Sequence, residues 1–225
     1  LRKRFWKTCA MVDVKICGLS TMESVDAAIE AGAGLVGFVF YPRSPRHVSF
    51  PLAKKLAAHA RGRAKIVALI VDANDVALQE IDNIVAPDLY QAHGAETPER
   101  VQEIAALTGK PVIKAIKIGA SADVARADAY AGKASLILYD AKAPETLVNA
   151  LPGGNGIAFD WSLLGSERQP EGFILSGGLN PDNVAKAIRA TGAPIVDVSS
   201  GVEKAPGVKD LSLIRKFIEA AKAAR

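Results

Sequence analysis

The sequence predicts an α/β protein, a single-domain (β/α)8 barrel built on a parallel eight-stranded barrel. Three observations predict it. Eight apolar runs of strand length occur, helical patterns sit between most of them, and about 215 residues hold the whole set, at the small end for such barrels. The runs are VDVKICGL (12–19), LVGFVFY (35–41), KIVALIVD (65–72), DLYQAHG (88–94), VIKAIKI (112–118), SLILYDA (135–141), GFILSGG (172–178) and IVDVSSG (195–201).

The connecting segments carry helix start and stop signals. After the first run, TMESVDAAIEAG opens with Thr21 as N-cap and stops at Gly32. After the fourth, TPERVQEIAALTG places Pro98 in the first turn and stops at Gly109. The sixth connection is irregular: PETLVNALPGGNGIAFDWSLL carries a glycine-rich loop before a short helix. After the seventh, NPDNVAKAIRATG stops at Gly192, and DLSLIRKFIEAAKAAR closes the chain with Asp210 at its N-terminus. The alternative is a doubly wound open sheet, which usually has fewer strands and often a G-x-G-x-x-G turn. Here the first run ends Ile16-Cys17-Gly18-Leu19-Ser20 instead.

Composition narrows the function classes. The 225 residues carry 28 Lys+Arg and 24 Asp+Glu, a formal net charge of +4. Arg2, Lys3, Arg4 and Lys7 account for that entire excess, so from Met11 onward basic and acidic residues balance. General basicity therefore does not point to nucleic acid, and no apolar run approaches the roughly 20 residues of a membrane span. Residues 1–10 form a basic extension expected to lie outside the fold, with Met11 as the natural start and 11–225 as the barrel domain. The segment lacks the apolar core of a secretory signal, and Arg2 stands where myristoylation requires glycine. Of the two cysteines, Cys9 falls in that extension, which leaves Cys17 and excludes a disulfide framework. A cytoplasmic location is the expectation.

In barrels of this class, functional side chains stand at the carboxyl ends of strands. Those ends hold Cys17, His93, Asp140 and Asp197, and the second run leads into a loop with Arg43, Arg46 and His47. Ser176-Gly177-Gly178 and Ser199-Ser200-Gly201 follow the last two strands. Such small residues let backbone N–H groups approach a dianion, which predicts a phosphate site and a phosphorylated small-molecule ligand. A thiol near cations or helix N-termini is drawn toward neutrality and serves as a general base. A carboxyl buried at the end of an apolar strand is kept protonated and serves as a general acid. Cys17 and Asp140 lie three strands apart around the ring, on facing walls. Lys15 shares the inward parity of Cys17 and needs a partner, which Asp197 on the neighbouring eighth strand supplies. His59 reads as solvated and Trp161 as a packing anchor. His47, His59 and His93 show no ligand spacing, so no metal is expected.

The ordered set KICGL, GFVFYPRSPRHVS, QAHG, LYDAK, GGNG with FDWSLL, LSGGLNPDNV and VDVSSGVEKAPGVKD closely resembles the phosphoribosylanthranilate isomerases, from about Met11 to the C-terminus. The resemblance implies a TIM barrel that catalyses an Amadori rearrangement in tryptophan biosynthesis without a cofactor. It implies Cys17 as general base, Asp140 as general acid and Arg46 as the holder of the anthranilate carboxylate. His93 and Asp197 would line the site, and Gly177, Gly178, Ser199, Ser200 and Gly201 would cradle the phosphate. Two departures stand out: Ala92 replaces a usual Leu, and the glycine-rich loop reads through Asn155 and Ile157 without its usual Lys. Rival readings are indole-glycerol-phosphate synthase, which needs a catalytic lysine on a barrel strand, a ribulose-phosphate epimerase, and a non-catalytic phosphate-binding barrel. No nucleic-acid or membrane partner is expected, and a monomer is the default.

Overall fold

The structure, a computed structural model, describes residues 12–143, 153–154, 156, 158–165 and 172–224. The basic extension with Cys9, Met11, and Asn155 and Ile157 of the glycine-rich loop lie outside the described residues.

Eight parallel strands close into a barrel in chain order. They are β1 (Asp13–Cys17), β2 (Leu35–Phe40), β3 (Lys65–Ile70), β4 (Leu89–Ala92), β5 (Val112–Ile118), β6 (Leu136–Ala141), β7 (Ile174–Leu175) and β8 (Ile195–Val198). All eight expected runs supply a strand, and closure of β1 onto β8 excludes the open sheet. The strands read as near-continuous apolar runs because both of their faces are covered. One face packs an inner cluster that includes Leu35, Val67, Ile113, Leu138, Ile174 and Ile195. The other packs Val14, Ile16, Phe38, Ile66, Tyr139 and Val196 against the helices.

The helices are α1 (Met22–Ala31), α2 (Phe50–Ala60), α3 (Asp75–Val85), α4 (Pro98–Thr108), α5 (Ser121–Ala125), α6 (Ser162–Gly165), α7 (Val184–Thr191) and α8 (Leu211–Lys222). Their ends follow the signals in the chain. The Thr21 side chain accepts from Ser24 N and Ser24 reciprocates, while Thr97 accepts from Arg100 N and Asp210 from Ser212 N and Leu213 N. Gly32, Gly109 and Gly192 terminate α1, α4 and α7 in the left-handed conformation. Among the described residues no helix is long and apolar enough to cross a membrane.

Some details differ from the sequence reading. Residues 203–209, to which the sequence reading assigned no element, form a two-stranded antiparallel hairpin, β9 (Glu203–Ala205) with β10 (Val208–Lys209). His59 is not simply solvated: its Nε2 lies 2.8 Å from Asp26 Oδ1, which also accepts from Arg63 at 2.8 Å, tying α2 to α1. Trp161 does pack against the outer core.

Lys114 and Glu96 form an ion pair at 2.8 Å with side chains 3% and 1% exposed. Lys114 alternates with the inward Ile113 and Ala115, so its ammonium lies outside the barrel interior, where it also donates to Gly94 O at 2.7 Å. Burial pulls its pKa below the ordinary lysine value, against the opposing pull of Glu96. Glu96 also accepts from Asp72 N and Gly94 N, so it knits together the loops after β3 and β4. Removing one member of such a pair strands the other charge in the interior. Urea unfolding of Glu96→Ala is expected to show a loss of about 3–5 kcal/mol.

Candidate active site

A cavity of about 770 Å³, counted with its open mouth, lies at the carboxyl ends of the strands. Its wall includes Cys17, Arg46, His93, Asp140, Asp197, Gly177, Gly178, Ser199 and Ser200. Nine of the ten residues to which the resemblance gives a role thus meet in one place. The tenth, Gly201, stands just behind the wall, where a Cβ would run into Leu179 O.

The floor is electrostatic. The register of β1 on β8 sets Lys15 directly opposite Asp197, and Lys15 Nζ donates to Asp197 Oδ1 at 2.9 Å. Lys15 is 0% exposed, so the expected partnership is direct and sealed from water. The ammonium also lies close enough to the Cys17 thiol for the two to shift one another's protonation. Gly37 on β2 leaves the space: a Cβ there would stand 3.1 Å from Cys17 Sγ and 3.2 Å from Lys15 Nζ. The sequence reading expected Cys17 to be drawn toward neutrality, and here the structure corrects it. Burial pushes the thiol above its ordinary value, and the opposing pull of Lys15 does not overcome this, because Asp197 neutralises Lys15 and itself pushes the thiol up. Lys15 is raised: burial alone would lower it, and Asp197 and Cys17 more than offset that.

On the facing wall, Asp140 is held by two donors. Ala141 N donates to Oδ1 at 3.0 Å, and His93 Nε2 lies 3.1 Å from Oδ2. His93 Nδ1 lies 2.8 Å from Gln91 Nε2. With the Gln91 amide oriented to donate there, the ring proton sits on Nε2 and points at Asp140. Gln91, Lys15 and Asp197 occupy inward positions of their strands, so the interior that is apolar lower down becomes polar toward the cavity.

Arg46 reaches the cavity from the loop after β2. Its Nε donates to Glu203 Oε1 at 2.7 Å, and its Nη2 donates to Glu203 Oε2 at 2.9 Å and Gly154 O at 3.2 Å. Gly153, in the loop after β6, lies over the opposite edge, where a Cβ would come 2.9 Å from Asp140 Oδ2. The turns after β7 and β8, from which a phosphate cradle is expected, line the same cavity. Gly177 has φ 84°, and a Cβ there would meet Ala141 N at 2.5 Å, so the turn requires glycine. Among the described residues, nothing in the protein accepts from the Gly177 and Gly178 N–H groups, which leaves them available to an anion.

Sequence reasoning missed Gln91, Glu203 and Lys209 as supporting groups. The signal for Gln91 was its parity with His93. For the other two it was a pair of opposite charges flanking Pro206-Gly207, a turn dipeptide that folds them together. The structure also bears on the lysine that a synthase reading needs. Lys15 is engaged by Asp197, and Lys114 lies outside the barrel interior.

Comparison with known proteins agrees with this geometry. Residues 14–220 match the family model of N-(5'phosphoribosyl)anthranilate (PRA) isomerase. An N-(5'-phosphoribosyl)anthranilate isomerase of Rhodopseudomonas palustris is 51% identical over 212 residues, 94% of this chain and 96% of that protein. One from Parvibaculum lavamentivorans is 50% identical over 213 residues, 95% and 99% of the two chains. Among solved structures, the isomerase of Thermotoga maritima superposes with TM-score 0.84 at 38% identity, covering 95% of this chain and 100% of that one. An isomerase in complex with reduced 1-(o-carboxyphenylamino)-1-deoxyribulose 5-phosphate superposes with TM-score 0.80 at 35% identity, with the same coverage. On the family-model match and these identities over nearly the whole chain, this protein belongs to the N-(5'-phosphoribosyl)anthranilate isomerase family.

Proposed function

We propose that this enzyme converts N-(5'-phosphoribosyl)anthranilate to 1-(o-carboxyphenylamino)-1-deoxyribulose 5-phosphate, an aldose–ketose isomerisation of tryptophan biosynthesis. The observation that carries the chemistry is the placement of Cys17 and Asp140 on facing walls of one cavity. Arg46 at its edge and the turns after β7 and β8 would anchor the two ends of the substrate. The family match and a relative crystallised with the reduced product support the same substrate.

In this reading the phosphate sits against the N–H groups of Gly177, Gly178, Ser199 and Ser200, with Gly201 holding the turn. The anthranilate carboxylate meets Arg46. Asp140 gives its proton to the furanose ring oxygen, the C1′–O bond breaks, and the anthranilate nitrogen lone pair forms the Schiff base. Cys17, as thiolate, removes the proton from C2′, and that electron pair moves toward the iminium nitrogen to give an enolamine. Tautomerisation returns a proton to C1′ and yields the ketone. His93 keeps the Asp140 carboxyl aimed into the cavity. Lys15 compensates the thiolate charge, and Asp197 holds Lys15 beneath it.

Loss of substrate fluorescence, followed with freshly generated phosphoribosylanthranilate, tests the assignment. Cys17→Ser and Asp140→Asn are each expected to lower kcat by about 10²–10⁴-fold with KM nearly unchanged. Near-full turnover in either variant, with chemistry rate-limiting, would remove that residue from the mechanism. Arg46→Ala is expected to act the other way round, raising KM far more than it lowers kcat.

The pH profile follows from the environment of the thiol. The base is active as thiolate, and burial raises the Cys17 pKa in the empty enzyme. The acid limb of kcat/KM therefore rises with pH and inflects above the ordinary thiol range. Lys15 lowers the thiol pKa, so Lys15→Met is expected to move that inflection to higher pH. An unmoved or lowered inflection would show that a group other than Cys17 titrates on this limb.

A further inference from the structure

The β9–β10 hairpin contributes no side chain to the cavity wall among the described residues, yet it holds the most heavily engaged carboxylate next to it. Glu203 takes both Nε and Nη2 of Arg46, at 2.7 and 2.9 Å, and Lys209 Nζ at 2.7 Å on the oxygen that Nε uses. Gly207 N donates to the other oxygen at 3.2 Å, which fixes the carboxylate within its own turn. The Arg46, Glu203 and Lys209 side chains are 7%, 4% and 2% exposed. Lys209 goes on to donate to Ser199 O at 2.8 Å, and Ser199 Oγ donates to Cys17 O at 3.2 Å. One carboxylate therefore joins the loop after β2 to the turn after β8, and through it to the end of β1.

The guanidinium fork has two edges suited to a carboxylate. Glu203 occupies the Nε–Nη2 edge. The remaining amino group, Nη1, has no hydrogen-bond acceptor among the described residues and faces Gly154, where a Cβ would stand 2.6 Å from it. Gly18, with φ 75°, completes the fit: a Cβ there would meet Arg46 Cδ at 2.8 Å. The charges point the same way. Two buried cations share one carboxylate, so the cluster carries one net positive charge, the amount that a single substrate carboxylate neutralises.

We propose that Glu203 is a positioning residue that sets substrate specificity for an N-aryl carboxylate. By holding the Nε–Nη2 edge of Arg46, it turns Nη1 toward the cavity as the donor that reads the carboxylate. Glu203 itself touches no substrate. This inference rests on the isomerase reading above.

The test compares two substrates, phosphoribosylanthranilate and the phosphoribosyl amine of aniline, which lacks the carboxylate. The wild-type enzyme is expected to prefer the first. In Glu203→Gln, kcat/KM for the carboxylated substrate should fall by about tenfold or more, chiefly through KM. The value for the aniline compound should change by less than about threefold, so the preference shrinks. Combined with Arg46→Ala, Glu203→Gln should add nothing further, because it acts through that residue. Equal losses on both substrates, or an additive loss in the double variant, would overturn the proposal. If Glu203→Gln does not fold, Glu203→Asp, which keeps the charge but not the reach, takes its place with the same readouts. A wild-type enzyme inactive on phosphoribosylanthranilate would instead overturn the isomerase reading itself.

Discussion

The buried pair of Lys15 and Asp197 is the constraint around which the site is organised. It exists because the barrel closes: β1 and β8 lie at opposite ends of the chain, and only their pairing brings residue 15 against residue 197. An ammonium with no exposure is tolerated only with an anion in hydrogen-bond contact, and Asp197 at 2.9 Å supplies it. That contact also decides the electrostatics of the thiol above. A lone cation beneath Cys17 would favour the thiolate strongly. A cation already paired favours it less, so burial prevails and the resting thiol stays high.

The second organising element is the way cations are shared near the cavity. Arg46, Lys209 and Lys15 each find a carboxylate: Glu203 takes the first two, and Asp197, itself in the cavity wall, takes the third. Glu203 carries two of these cations. Burial alone would raise its pKa, but Arg46 and Lys209 together hold it below the ordinary carboxylate value. The outcome is a site whose positive charge is set by protein pairing, consistent with a chain whose residues from Met11 onward carry balanced charge.

Much of the fold was legible because its signals are local. Thr21, Thr97 and Asp210 cap their helices through their own side chains, and Gly32, Gly109 and Gly192 end theirs. Strand parity assigned Lys15 and Cys17 to the interior, since side chains alternate with a period of two. The hairpin of 203–209 was not legible in the same way, because its strands are three and two residues long and carry no apolar alternation. Gln91 was overlooked for a related reason. A buried glutamine acquires meaning only from the His93 ring 2.8 Å away.

By itself the sequence determined the strand count, the ends of α1, α4 and α8 and the stop of α7, the ends at which chemistry gathers and the ordered motifs that mark the family. All of these follow from periodicity, capping and residue type within a short span of chain. Tertiary structure alone decided what those residues do to one another. It made the expected Lys15–Asp197 pair a direct contact that leaves the buried thiol high, and it tied Arg46, read only as the holder of a substrate carboxylate, to Glu203 across 157 positions of chain. A side chain's charge is written in its identity, but its effective charge depends on burial and partners, and these arise only when distant segments are packed together.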